Sequence, residues 1–380
     1  MVFSLAACGG GSSETPAPET TTPAETAPAE TASATDMKVA MITDYGDITD
    51  QSFNQTTYEA CNEFCTANSV EFTYYKPAGD STAERVAMVD AAVAEGYNVV
   101  VMPGYAFAET IKETAEMYPD VTFIALDVGE GDLGADYTVP SNVYCAVYQE
   151  ELCGYMAGYA AVKLGYTHLG FLGGMAVPAV QRYGYGFVQG ADAAAAELGN
   201  GADVTVEYVY GNQFFGDADI TAYMDNWYQT QGVEVVFACG GGIYTSAAEA
   251  AAKVGGKVIG VDVDQAAIID AYGEGMTVTS AMKGLANTTK HLLQEVMDGN
   301  FANYGGQIET LGLVSGDDST ANYVQLPMES TQWSDTFTQD DYKALVAGMY
   351  DGTITVSNDV SVAAADNATV ITVNEYGNIK

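Results

Sequence analysis

Basic residues are scarce in this 380-residue chain: 12 Lys and Arg stand against 51 Asp and Glu, for a formal net charge of -39. A surface that negative repels phosphate backbones and anionic headgroups, so nucleic acid is not an expected partner. Histidine is scarcer still, with only His168 and His291, and neither neighbours a nucleophile in the sequence. GxSxG, HExxH and Walker A patterns are all missing. The stretches Gly170–Gly174 and Gly240–Gly242 read as tight strand-to-helix turns, without the Lys and Ser/Thr of a phosphate loop. An enzyme is therefore not expected, and neither a metal nor a cofactor is implied. Of six cysteines, Cys8 belongs to a processing signal, and the other five cannot all pair. Cys61 and Cys65 lie four apart on an expected helix, a poor disulfide geometry. With Cys145, Cys153 and Cys239 they read as reduced core thiols. Nowhere is there an uninterrupted apolar run of about 18 residues, as a membrane-spanning helix requires.

What is present is apolar residue in quantity: 48% of the chain is hydrophobic, and its length suits two domains. At the N-terminus, Leu5-Ala6-Ala7-Cys8 resembles a bacterial lipobox, which implies a diacylglyceryl group on Cys8. No Lys or Arg precedes Cys8, so the basic part of a signal peptide is missing and Met1 reads as an internal start. Residues 9–36 are rich in Ser, Thr, Pro, Ala and Glu without apolar periodicity, which predicts a disordered tether. A lipid anchor is then the protein's one expected contact with a membrane.

From Lys38 onward, short apolar runs alternate with amphipathic segments. Strands are predicted at Val39–Ile42, Val70–Tyr75, Val99–Met102 and Val121–Leu126, and helices at about Ser52–Ala67, from Ser81 onward and over Ile111–Tyr118. The pattern restarts with helices at Tyr155–Leu164, Phe187–Leu198 and around Trp227. Its strands are Leu169–Leu172, Val204–Tyr210, Val233–Cys239 and Lys257–Val261, with a strand-like Thr277–Met282. The βαβα order argues for parallel sheets with helices on both faces. The fold class is α/β, with two doubly wound, Rossmann-like lobes facing each other across a cleft suited to a small ligand.

The ends of these strands hold the candidate binding groups. The run from Asp44 to Asn54 (DYGDITDQSFN) follows the first strand as a polar loop entering a helix, where open α/β sheets bind ligands. Asp44, Asp127 and Asp262 each follow an apolar strand, and carboxylates accept from sugar hydroxyls and ring N–H groups. Phe53 and Phe215 sit in polar loops beside Asn54 and Asp217, positioned to sandwich a planar base. Lys283, one of few cations, would bond a ligand oxygen or balance the carboxylates. Asp47 and Asp50 read as loop-shaping and helix-start residues.

Further pieces join Asp50–Gln55 (DQSFNQ): Val121–Asp127 (VTFIALD), Gln149–Glu151 through Tyr155–Gly158, Gly170–Gly174, Gly186–Phe187 with Gly190–Ala191, Phe215–Asp217 and Val261–Gln265 (VDVDQ). In this order the chain resembles the basic membrane protein family of substrate-binding lipoproteins, whose best-understood members resemble purine nucleoside receptors. The resemblance implies a type I periplasmic-binding-protein fold with a multi-crossing hinge, and delivery of ligand to the permease and ATPase of an ABC importer. It implies Phe53 and Phe215 as rings stacked on a purine, with Phe214 as the neighbour that would replace Phe215 if the alignment slipped by one. Asp44, Asn54 and Asp127 then lie near the base, and Gly241, Asp262 and Lys283 near the ribose. Guanosine, inosine or adenosine is the expected ligand of a monomer. The competing readings are a binder of another neutral solute, such as a sugar or signalling furanose, and a surface sensor without transport. The expected division is 1–8 signal, 9–36 tether, 37–143 with about 279–305 as N-terminal lobe, 144–278 with about 306–358 as C-terminal lobe, and a strand-rich extension over 359–380.

Overall fold

The computed structural model describes residues 36–380. Cys8 and nearly all of the expected tether lie outside the described residues.

The N-terminal lobe opens with β1 (Lys38–Ile42), α1 (Phe53–Asn68), β2 (Glu71–Tyr75), α2 (Thr82–Ala94), β3 (Val99–Pro103), α3 (Ala108–Thr114), β4 (Thr122–Leu126), α4 (Glu130–Leu133) and β5 (Val143–Tyr148). The chain then crosses into α5 (Glu150–Lys163), β6 (His168–Gly173), α6 (Pro178–Leu198), β7 (Thr205–Tyr210), α7 (Ala218–Asn226), β8 (Val235–Cys239), α8 (Tyr244–Ala252), β9 (Lys257–Asp262), α9 (Ala266–Ile269) and β10 (Thr277–Lys283). It returns for α10 (Leu285–Met297) and β11 (Gln307–Leu311), and finishes in the second lobe with β12 (Val324–Gln325), α11 (Gln339–Tyr350) and β13 (Thr372–Asn378). One sheet has the order β11-β5-β4-β3-β1-β2, the other β12-β10-β9-β8-β6-β7-β13. Among the strands of the described residues, β12 alone pairs antiparallel, with β10. Central strands such as β3, β4 and β8 are buried on both faces, which is why they read as continuous apolar runs rather than alternating ones.

The lobe boundaries differ from the expected ones. β5 belongs to the first sheet through its parallel pairing with β4, so the first crossing follows Tyr148 rather than residue 143. β10 stays in the second sheet to Lys283, and β11 returns to the first beside β5. Strand pairing sets lobe membership; β5 is an apolar run, VYCAVY, that the sequence reading passed over, whereas β11 is a half-exposed edge with little apolar contrast. The three crossings brace one another: Gln149 N–H donates to Leu311 O at 2.9 Å, Gly284 N–H to Tyr323 O at 2.7 Å and Tyr323 N–H to Gly312 O at 2.9 Å. The 359–380 segment contributes a single strand, β13, on the edge beside β7. Its approach is fixed by Asp192, whose carboxylate accepts from the backbone N–H groups of Thr369, Val370 and Ile371. Cys61, Cys65, Cys145, Cys153 and Cys239 are buried free thiols, as the sequence predicts.

α6 begins at Pro178, nine residues before the predicted Phe187. Its early turns hold Gly184 and Gly186, poor helix formers that hid the start. Tertiary contact explains the glycines. A Cβ on Gly154 or Gly158 of α5 would lie 2.0 Å from the carbonyl oxygen of Tyr183 or Phe187. One on Gly186 or Gly190 of α6 would lie 2.0 Å from that of Glu151 or Tyr155. The two helices therefore meet backbone to backbone, and this contact sets Glu150, Arg182 and Tyr183 behind the cleft. We predict that Gly158→Ala destabilises the protein by about 1–3 kcal/mol or more in urea unfolding, because the obstructing atom is backbone and cannot swing away. A solvent-facing helical glycine would respond with the opposite sign, gaining up to about 1 kcal/mol.

Candidate ligand-binding cleft

A cavity of about 790 Å³ lies between the lobes at the C-terminal ends of both sheets. All eight residues expected at the site line it: Asp44, Phe53, Asn54 and Asp127 from one lobe, Phe215, Gly241, Asp262 and Lys283 from the other. His168 and His291 are elsewhere, against Glu207 and Tyr304.

The first jaw is the loop from β1 to α1. Asp50 organises it, accepting from the backbone N–H groups of Ser52, Asn54 and Gln55. This carboxylate does the capping of α1, a favourable place for negative charge at a helix N-terminus. Asp44 is buried, and one of its oxygens accepts from the N–H groups of Tyr45 and Gly46, both at 2.6 Å. Burial raises its pKa, and those two donors oppose the shift. A side chain at position 46 would have to displace Asn54, since a Cβ there would lie 2.2 Å from Asn54 Nδ2. Asn54 donates to Asp50 and leaves a buried Oδ1 without a protein partner.

The floor is ionic. Lys283 ends β10 with a side chain only 2% exposed, and its ammonium meets Asp127 Oδ2 at 2.5 Å, Glu150 Oε1 at 3.3 Å and Asp262 Oδ1 at 4.0 Å. Burial works against this charge, but the three carboxylates outweigh it and hold the lysine pKa above its ordinary value. The same ammonium lies 4.8 Å from the centre of the Phe53 ring and 5.3 Å from that of Tyr148. Asp127 directly follows β4 and Asp262 is the last residue of β9, and both adopt left-handed backbone, with φ 59° and 66°. That conformation costs about 1 kcal/mol or more outside glycine, and here it turns each carboxylate back toward the cavity. Burial pushes Asp127 up to about 6 against the pull of Lys283, and raises Asp262 as well. Asp127 Oδ1 is buried without a partner.

The second jaw is the Phe214–Asp217 loop, which lies along the Gly240–Gly242 turn through a bridge between Phe215 and Gly242. A Cβ on Gly241 would lie 2.7 Å from Phe214 O, so a glycine is required for this approach. Phe214 packs against Gly174 and Gly240 and faces the Tyr45 ring across the cleft, centroids 6.3 Å apart. Phe215 is 58% exposed at the cavity mouth. Both rings line the cavity.

Sequence reading missed several participants. Ser52 Oγ donates to Asp262 Oδ2 at 2.5 Å between the lobes. Tyr45 OH donates to Met175 Sδ at 3.1 Å, and Arg182 Nε to Glu150 Oε2 at 2.7 Å. The Glu150-Glu151 pair at the start of α5 was a usable signal, because paired carboxylates entering a buried helix need partners. Cys239 also lines the cavity, and burial keeps its thiol protonated.

Glu151 is buried beside this network, one oxygen unpartnered, and burial pushes it up to about 7. The folded protein thus holds this proton to higher pH than the unfolded chain, so stability falls as pH rises from about 4.5 through 7 and levels off above. We predict that Glu151→Gln removes up to about 3 kcal/mol of that fall, read as the difference between urea unfolding at pH 5 and pH 8 in the two proteins.

Residues 37–320 match the family of ABC transporter substrate-binding proteins described as PnrA-like (Bmp). The chain is 27% identical over 300 residues to the ABC transporter nucleoside-binding protein BmpA of Lactococcus lactis, covering 74% of this chain and 80% of that one. It is 26% identical over 348 residues to the CD4+ T-cell-stimulating antigen of Listeria innocua, covering 86% and 90%. Among solved structures, an ABC transporter solute-binding protein of Conexibacter woesei superposes with a TM-score of 0.65 at 23% identity, covering 85% of this chain and 99% of that one. That likeness is one of fold: two Rossmann-like lobes closing on a cleft. The chain belongs to the PnrA-like (Bmp) family of ABC transporter substrate-binding proteins.

Proposed function

We infer that this protein captures purine nucleosides between its lobes and hands them to the permease and ATPase of an ABC importer, held at the outer face of the membrane by a lipid on Cys8. The observation that carries the reading is the pairing of aromatic and acidic groups on opposite walls of one cavity. Phe53 comes from one lobe and Phe215 from the other, and Asp44, Asp127 and Asp262 line the same cavity. Rings on both walls suit a flat base. The unpartnered oxygens of Asn54 and Asp127 call for ligand donors, and leaving such acceptors unmet costs about 1–3 kcal/mol each. In this reading Asp44 and Asn54 take the base and Gly241, Asp262 and Lys283 the ribose; Asp127, which the resemblance put near the base, is bonded to Lys283 and is assigned with the ribose group instead. A ligand touching both lobes favours the closed state by its differential affinity for that state. The nucleoside-binding name of the Lactococcus relative and the lipoprotein name of a Pyrococcus abyssi relative, 24% identical, agree with the two halves of this proposal. Among the described residues no helix is long and apolar enough to cross a membrane.

Calorimetry with ligand-free protein tests the reading. Guanosine, inosine or adenosine should bind, and more tightly than their 5′-monophosphates, because the acidic cleft repels phosphate. An absence of heat with every nucleoside would overturn it. Phe53→Ala should weaken nucleoside binding by about 1–3 kcal/mol, the usual worth of base–aromatic stacking, and an unchanged affinity would take Phe53 out of the site.

A further inference from the structure

Ser52 is placed to cap α1, yet its hydroxyl makes no capping bond to the helix. Asp50 does that work instead, accepting from the N–H groups of Ser52, Asn54 and Gln55. The serine hydroxyl is thereby released, and it crosses the cleft to Asp262 Oδ2 at 2.5 Å. Both residues are buried. One position earlier, Gln51 has left-handed backbone, φ 56°, and its carbonyl oxygen accepts from Gln265 Nε2 at 3.0 Å. Gln265 is itself fixed in the second lobe: its Oε1 accepts from Val261 N–H at 2.9 Å, and its own N–H donates to Ser280 Oγ at 3.1 Å. Two consecutive residues of one lobe are thus gripped by two preorganised residues of the other.

We propose that the Ser52–Asp262 and Gln51–Gln265 hydrogen bonds form a built-in latch between the lobes, which sustains a closed population without ligand and aims the second Asp262 oxygen into the cavity. Nothing in these bonds requires a ligand, because donors and acceptors all belong to the protein. The latch lowers the apparent dissociation constant of any ligand selective for the closed form, since that constant scales inversely with the competent fraction. Ser52 acts as a positioning residue: it leaves Asp262 Oδ1, which accepts a long hydrogen bond from Tyr183 OH at 3.5 Å and lies 4.0 Å from Lys283 Nζ, with its remaining lone pair for a ligand hydroxyl.

Small-angle X-ray scattering on ligand-free protein tests the latch without reference to the ligand. Ser52→Ala should raise the radius of gyration above that of the parent protein while the melting temperature stays close to it. Gln265→Glu keeps the acceptor for Val261 but loses the donor to Gln51, and should do the same. If Ser52→Ala does not fold, Gln265→Glu decides alone. Equal radii for parent and folded variant would overturn the proposal. A second measurement rests on the nucleoside reading: Ser52→Ala should weaken nucleoside binding about tenfold or more, the scale of a hydrogen bond to a charged group, chiefly through faster dissociation. A scattering shift with no nucleoside binding in the parent would sustain the latch and sink the nucleoside assignment. An unchanged nucleoside affinity in a folded Ser52→Ala would remove Ser52 from the site.

Discussion

A buried ammonium is costly unless its charge is answered, and Lys283 is answered from both lobes. Asp127 comes from the first sheet, Asp262 from the second, and Glu150 from the first residue after the crossing between them. Removing one partner from such a set leaves charge uncompensated at low dielectric, which typically costs 3–5 kcal/mol. The lysine therefore ties the floor of the cleft to the hinge. It also explains how so acidic a protein closes at all: carboxylates that would repel across the cleft are drawn toward one shared cation.

The surrounding architecture serves that point. Glu150 is held on its far side by Arg182, which reaches it only because α5 and α6 touch through Gly154, Gly158, Gly186 and Gly190. Tyr183, the next residue of α6, stands over the same ammonium, its ring centre 5.7 Å away. The left-handed backbone at Asp127 and Asp262 is the local strain that the arrangement sustains. Rigid packing behind the cleft and adjustable contact across it are the two halves of a clamp.

The central strands and most helices of the two lobes were legible in the sequence, because fully buried parallel strands are dense apolar runs and amphipathic helices carry a 3.6-residue period. β11 and the first turns of α6 were not, while β5, an equally dense apolar run (VYCAVY), was legible but passed over. β11 is a half-exposed edge with little apolar contrast, and the glycines of α6 contradict local propensity to satisfy a distant backbone. The lobe boundaries were displaced for the same reason: strand pairing, rather than any local feature of the chain, assigns β5 and β11 to the first sheet and β10 to the second.

At the cleft, the sequence alone determined which residue types stand at strand ends. Asp44, Phe53, Asn54, Asp127, Phe215, Asp262 and Lys283 stood out as polar or aromatic residues in or near the loops and ends that follow buried strands, Gly241 was added by the family resemblance alone, and all eight line one cavity. Only the tertiary structure decided who meets whom. Ser52 and Asp262 are 210 residues apart, Lys283 and Asp127 156, and Arg182 and Glu150 32. Pairing at such separations follows from how helices pack within a lobe and how the two lobes meet, and a hydroxyl freed by a neighbouring carboxylate leaves no mark in the chain until its partner is in place.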